Sequence, residues 1–210
     1  MIEKVKLSLW DFFTYILSGT ALLISIMVHC ICKGYLPLNI IMDIPFGVSF
    51  VLIILVILLC GMVLEPAANL FYKLPSLFLN DSKSRFDEFE FKKWDNKITI
   101  LEHQAKDLVN ESTKENIFQF CKNWMLVNGV DGQYQAFLGK FGFYRNIAFI
   151  FVLNLLAVWL FYNDTLNKLL SSLMLLLFAT LYFHRSRIFF RHISITVYSQ
   201  FISGYKKENN

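Results

Sequence analysis

Phe46-Gly-Val-Ser-Phe-Val-Leu-Ile-Ile-Leu-Val-Ile-Leu-Leu-Cys-Gly-Met-Val-Leu64 is an uncharged stretch bounded by Pro45 and by Glu65-Pro66. As a helix it would rise about 28 Å, close to the roughly 30 Å hydrocarbon core of a bilayer. Three further runs share its character, at 13–32, 147–162 and 169–183, and the charged residues collect between them. One such run fits a buried helix of a soluble protein, whereas four fit lipid as the solvent. Only 17% of the residues are charged, where a soluble domain keeps about a quarter. The expected fold is therefore an all-α integral membrane protein with four transmembrane helices. It carries a cytoplasmic helical segment between spans 2 and 3 and a helical extension after span 4.

This reading divides the chain into a first transmembrane hairpin (1–64), a cytoplasmic segment (65–144), a second hairpin (145–183) and a cytoplasmic amphipathic helix with its tail (184–210). The N-terminal run reads as a retained first span, because no small-residue cleavage site is followed by a soluble mature domain. Glu65 and Pro66 are expected to stop span 2, and Pro75 to break the segment after it. Asn80-Asp-Ser-Lys-Ser84 reads as a loop. From Phe86 to Trp94 aromatic and charged residues interleave without a winning period, so helix and strand both stay open there. Ser112-x-x-Glu115 has the form of a capping box, which predicts a helix of about 15 residues ended by Asn128-Gly129. A new helix starts near Asp131 and continues into span 3. Asn163 to Asn167 forms the tight turn before span 4.

Charge placement sets the orientation. Of the 20 Lys and Arg residues, only Lys33 and Lys168 fall outside the N-terminus, the central segment with its Arg145 flank, and the C-terminal region. The positive-inside rule puts those three regions in the cytoplasm, and an even number of spans agrees. The central segment balances eleven acidic residues against ten Lys and Arg, which argues against a basic nucleic-acid arm.

Motifs for soluble chemistry are missing. There is no HExxH, GxSxG, GxxxxGK[ST] or GxGxxG, and the four cysteines lack metal-site spacing, so no metal or cofactor is expected. His29, near the outer end of span 1, reads as a satisfied interfacial histidine. The weak catalytic candidates are Arg187 and His192, whose R-x4-H spacing occurs in HEPN ribonucleases. On a regular helix those two lie about 140° apart, and basic residues flanking a span need no catalytic explanation. Whether nucleic acid is a partner stays open. Asn154, in the middle of span 3, needs hydrogen-bond partners in hydrocarbon. Ser18, Gly19 and Ser25 give span 1 a small-residue face that suits close helix packing, within the chain or between subunits. With Asn154 they are the candidate packing or oligomerisation residues. After span 4, Phe190, Ile193, Val197 and Phe201 follow helical spacing, which predicts an apolar stripe docking onto the central segment. Spans without midplane charge argue against secondary transport but leave a pore possible.

The Asp11-Phe-Phe-x-Tyr-Ile-Leu-Ser-Gly19 opening and Tyr144-Arg-Asn-Ile-Ala148, together with size, span count and the basic extension, resemble small four-span membrane proteins encoded with bacterial antiphage systems. These include the membrane accessory proteins of type VI-B CRISPR loci. The resemblance implies a membrane-acting defence effector that forms a pore, as an ion channel would, or depolarises the cell; the first reading of the chain is accordingly a non-enzymatic homo-oligomer whose spans perturb or permeate the membrane on a cytoplasmic signal. The alternatives are a membrane anchor that recruits a soluble cytoplasmic protein and a membrane-tethered HEPN-like ribonuclease.

Overall fold

The computed structural model describes residues 9–35, 46–78, 85–109 and 116–208. Six helices account for nearly all of them: α1 Leu9–Cys32, α2 Phe46–Phe78, α3 Arg85–Lys106, α4 Ile117–Val127, α5 Gly132–Phe161 and α6 Thr165–Glu208. Four of these, α1, α2, α5 and α6, are long and apolar enough to cross a membrane. The Phe86–Trp94 stretch is helical, as the first part of α3. The loop expected at 80–84 and the capping box at Ser112 and Glu115 lie outside the described residues.

Four sequence expectations change, one of them the turn expected over Asn163 to Asn167, since α6 already begins at Thr165. α2 does not end at Glu65-Pro66 but continues to Phe78, through both Pro66 and Pro75. A proline inside a helix removes one N–H bond, and the helix survives where tertiary contacts just beyond the proline offset that loss. Here Asn69 accepts a hydrogen bond from Arg145, and Ala68 is fully buried. The helix expected over about 15 residues is the 11-residue α4, with Asn116 at its N-cap and no side-chain bond there. Its C-terminal end does follow the sequence. Asn128 Nδ2 bonds back to the Trp124 carbonyl at 3.0 Å, and Gly129 takes the left-handed φ of 68° that closes a helix.

The chain forms two compact units. The first joins Met1–Leu77 to Gly139–Ser186, and the second joins Phe78–Leu138 to Arg187–Asn210. The first unit is thus built from both hairpins, and the central segment shares the second with the C-terminal extension.

In the first unit Leu64, Ile147 and Ile150 form the core, with Leu22, Phe151 and Tyr182 packed against it. α1 and α2 cross at backbone contact. A Cβ on Gly19 would lie 2.0 Å from the Ile57 carbonyl oxygen, and one on Gly61 would lie 2.3 Å from that of Tyr15. The outer surface of this unit is aliphatic, with Leu52, Leu160, Leu166 and Leu170 all exposed.

In the second unit Ile117, Cys121 and Met125 present one buried face of α4, at i, i+4 and i+8. Opposite them, Val197 and Phe201 are fully buried. Phe120 and Trp124 meet Phe201 edge-on at 5.7 and 5.5 Å. Gly204 lets the Trp124 ring lie against the α6 backbone, where a Cβ would come within 2.2 Å of the indole.

Candidate functional site

A polar seam runs between α1 and α5 inside the first unit. On α1 it consists of Thr14, Ser18, Ser25 and His29, spaced by four, seven and four residues, which keeps them on one face. Thr14 Oγ1 donates to the Gly139 carbonyl at 3.0 Å, and Asn146 Nδ2 reaches Ser18 Oγ at 3.4 Å. Farther along, Ser25 Oγ donates to Asn154 Oδ1 at 2.6 Å, and His29 Nε2 lies 2.8 Å from the same oxygen. Partners rise together in number on both helices, so α1 and α5 run parallel.

The Asn154 amide is oriented by its own helix, since Nδ2 donates to the Ile150 carbonyl at 2.9 Å. Oδ1 therefore faces Ser25 and His29 as an acceptor for both. His29 must then donate through Nε2, and in the neutral ring Nδ1 holds a lone pair. That Nδ1 is buried and bonds to nothing. The Tyr162 ring meets the imidazole edge-on at 6.0 Å. Beside this triad lies a cavity of about 680 Å³ lined by residues of α1, α5 and α6, Ile24, Val28, Phe151, Val158 and Met174 among them. The lining is aliphatic and aromatic apart from Ser25, His29, Asn154 and Ser171.

At the other end of the seam Arg145 is buried, only 5% exposed. Its guanidinium donates to Asn69 Oδ1, lies 3.6 Å from Glu65 Oε1, and reaches Asn146 Oδ1 at 3.4 Å. The Phe141 ring lies under it at 5.1 Å. Asn146 is fully buried and links this cluster to Ser18. The chain thus places its buried cation where carboxylate, amide and ring share the charge, as a low-dielectric site demands.

The sequence-selected residues divide as follows. Ser18, Gly19, Ser25 and Asn154 all make their close contacts within the first unit of this one chain. In the second unit, Ile193, Val197 and Phe201 are buried, whereas Phe190 is 50% exposed, so the covered stripe begins one turn later than its spacing suggests. His192 is sandwiched, stacked on Phe137 at 5.2 Å and edge-on to Trp94 at 4.7 Å. The neighbouring Arg191 pairs with Asp95 at 3.2 Å. Arg187 and His192 sit on one unbroken helix, five positions apart, so their directions diverge by about 140°. Among the described residues no group of three or more His, Cys, Asp or Glu is placed to hold a metal ion.

Sequence reading passed over the Arg145 network, because Arg145 looked like a flank marking the edge of a span. The usable signal was the Thr14/Ser18/Ser25/His29 face on α1, matched by Asn146 and Asn154 eight residues apart on α5. No protein-family model, curated protein or solved structure matches the chain. Its function therefore has to follow from its own residues.

Proposed function

We propose that the chain is a four-span integral membrane protein with both termini and the 65–144 region in the cytoplasm, acting as a non-enzymatic effector through assembly of its spans. The observation that carries this reading is the surface of the first unit. Large aliphatic side chains stand exposed along α1, α2, α5 and α6, up to 77% at Leu166, while Ser18, Ser25, Asn146 and Asn154 turn inward onto one another. In water that arrangement would leave an apolar patch far beyond what soluble monomers carry, and in lipid it is the expected one.

Two further features support the topology. Parallel α1 and α5 are what the first and third spans of an alternating bundle require. At the end opposite Arg145, Trp159 donates to Ser172 at 3.0 Å, Lys168 lies over Trp159 at 5.7 Å, and Lys33 lies over Tyr162 at 5.5 Å. Aromatic rings with snorkelling lysines suit a membrane–water interface.

The cavity of the single chain is mostly apolar, so permeation would need several copies around a shared axis. The antiphage role, in a bacterial inner membrane, rests on the resemblance alone. The second reading, an anchor for a soluble partner, is favoured by the second unit, which has its own aromatic core on Trp124 and Phe201. Overproduction in bacteria with a potential-sensitive dye separates the two. An effector depolarises the cells and runs as a multimer after extraction. An anchor leaves the potential intact and copurifies with a soluble protein. Tag accessibility at Ile100 and at the C-terminus tests the topology, and the two on opposite faces would overturn it.

A further inference from the structure

We infer that the α1/α5/α6 cavity is a binding site for a lipid-soluble molecule with an apolar body and one hydroxyl group, which donates to His29. The shape and lining fit an apolar body, since about 680 Å³ lies within the range of small-molecule pockets. The rim residues Ile24, Val28, Leu170 and Met174 are exposed on the aliphatic surface, so the cavity opens onto the face proposed to meet lipid. A ligand would arrive from the bilayer, and this route rests on the membrane reading, whereas the bond to the triad does not.

The hydroxyl follows from hydrogen-bond accounting. Asn154 Oδ1 already accepts from Ser25 and His29, and the His29 Nε2–H is spent on it. In the neutral ring, what remains is an acceptor, the buried and unpartnered Nδ1 of His29. An unmet buried acceptor calls for a donor, which selects an alcohol or phenol over an alkane or an ester. For a cavity ligand to reach the buried Nδ1, the imidazole must turn about Cβ–Cγ, a motion that displaces Nε2 less than Nδ1 because Nε2 lies nearer that axis. The fixed triad thus supplies orientation and the apolar walls supply affinity.

The test is photolabelling with a diazirine-bearing long-chain alcohol, in detergent micelles and in phospholipid vesicles, with labelled sites mapped by mass spectrometry. Competition is by 1-dodecanol or by dodecane. Label is expected on cavity residues such as Met174 and Val158, and 1-dodecanol should compete about two- to tenfold better than dodecane, the worth of one hydrogen bond. His29→Phe keeps an aromatic ring and should abolish that difference. Met174→Trp alters only an exposed rim residue and should block labelling of the cavity. Equal competition by the two compounds overturns the inference. So does a difference that survives His29→Phe, label that persists in Met174→Trp, or label spread as heavily over Leu52 and Leu55 of α2. A chain that proved soluble would fail the membrane reading but could still be labelled in buffer, so the two failures are distinguishable.

Discussion

Gly19→Ala tests the α1–α2 crossing most sharply. The new Cβ would fall 2.0 Å from the Ile57 carbonyl oxygen, where ordinary contact begins at 3.4 Å. The backbones must therefore part by about 1.4 Å, because neither partner is a side chain that can rotate away. A radial gap of about 0.5–1 Å already forfeits a quarter to a half of a dispersion contact, so the loss spreads along the crossing. It also strains the adjacent Ser18–Asn146 bond, already long at 3.4 Å. Overpacking of this kind sits near the upper end of about 1–3 kcal/mol. Alanine returns up to about 1 kcal/mol of helix propensity over glycine. The expected net loss is about 2 kcal/mol, roughly thirtyfold in the folding equilibrium. Equilibrium unfolding in mixed detergent micelles, followed by tryptophan fluorescence, measures it. Gly132→Ala is the control, since nothing lies within 4 Å of its Cβ position. It should be neutral or slightly stabilising. If Gly19→Ala behaves like Gly132→Ala, the backbone-contact crossing is wrong.

Burial pushes the Cys121 thiol up to about 12, from an ordinary 9.0. At pH 8 its thiolate fraction is then about one in ten thousand, so N-ethylmaleimide should spare Cys121 in the folded chain and modify it on unfolding, as read by peptide mass spectrometry. A raised folded-state value also means that this group's contribution to stability is complete below pH 9 and is lost as pH rises toward 12, and a Cys121→Val variant should lack that loss. Glu65→Ala removes the carboxylate facing the buried Arg145 guanidinium and should cost about 1–3 kcal/mol in the same unfolding assay, with Glu65→Gln costing less. Ile193→Asp puts a charge at a site 5% exposed and should open the second unit to limited proteolysis, whereas Phe190→Asp, at a half-exposed site, should be tolerated.

Much of the helix plan was legible because lipid-length apolar runs leave little alternative. The end of α2 was not, since Glu65 and Pro66 look like a stop unless Arg145 is known to wait opposite. Asn154 could be singled out as a residue in need of partners, yet its partners, Ser25 and His29, lie 129 and 125 residues away. Nothing in the sequence couples such distant positions except matching periodicity on two helices. The unpaired His29 nitrogen is a matter of hydrogen-bond geometry and has no sequence signal. The amphipathic stripe after span 4 was readable by period alone, but period could not tell that Phe190 sits at its exposed margin.

The polar seam also fixes an order of events during synthesis. Asn69 emerges 76 residues before Arg145, and Ser18 emerges 128 residues before Asn146. A ribosome that has released only the first hairpin has made a socket without its plug, with a carboxylate and an amide held open until α5 arrives. If the proposed membrane topology holds, a nascent chain stalled before residue 145 should be the form most dependent on insertases and most exposed to membrane proteases. Completion of α5 is the step that releases it from both.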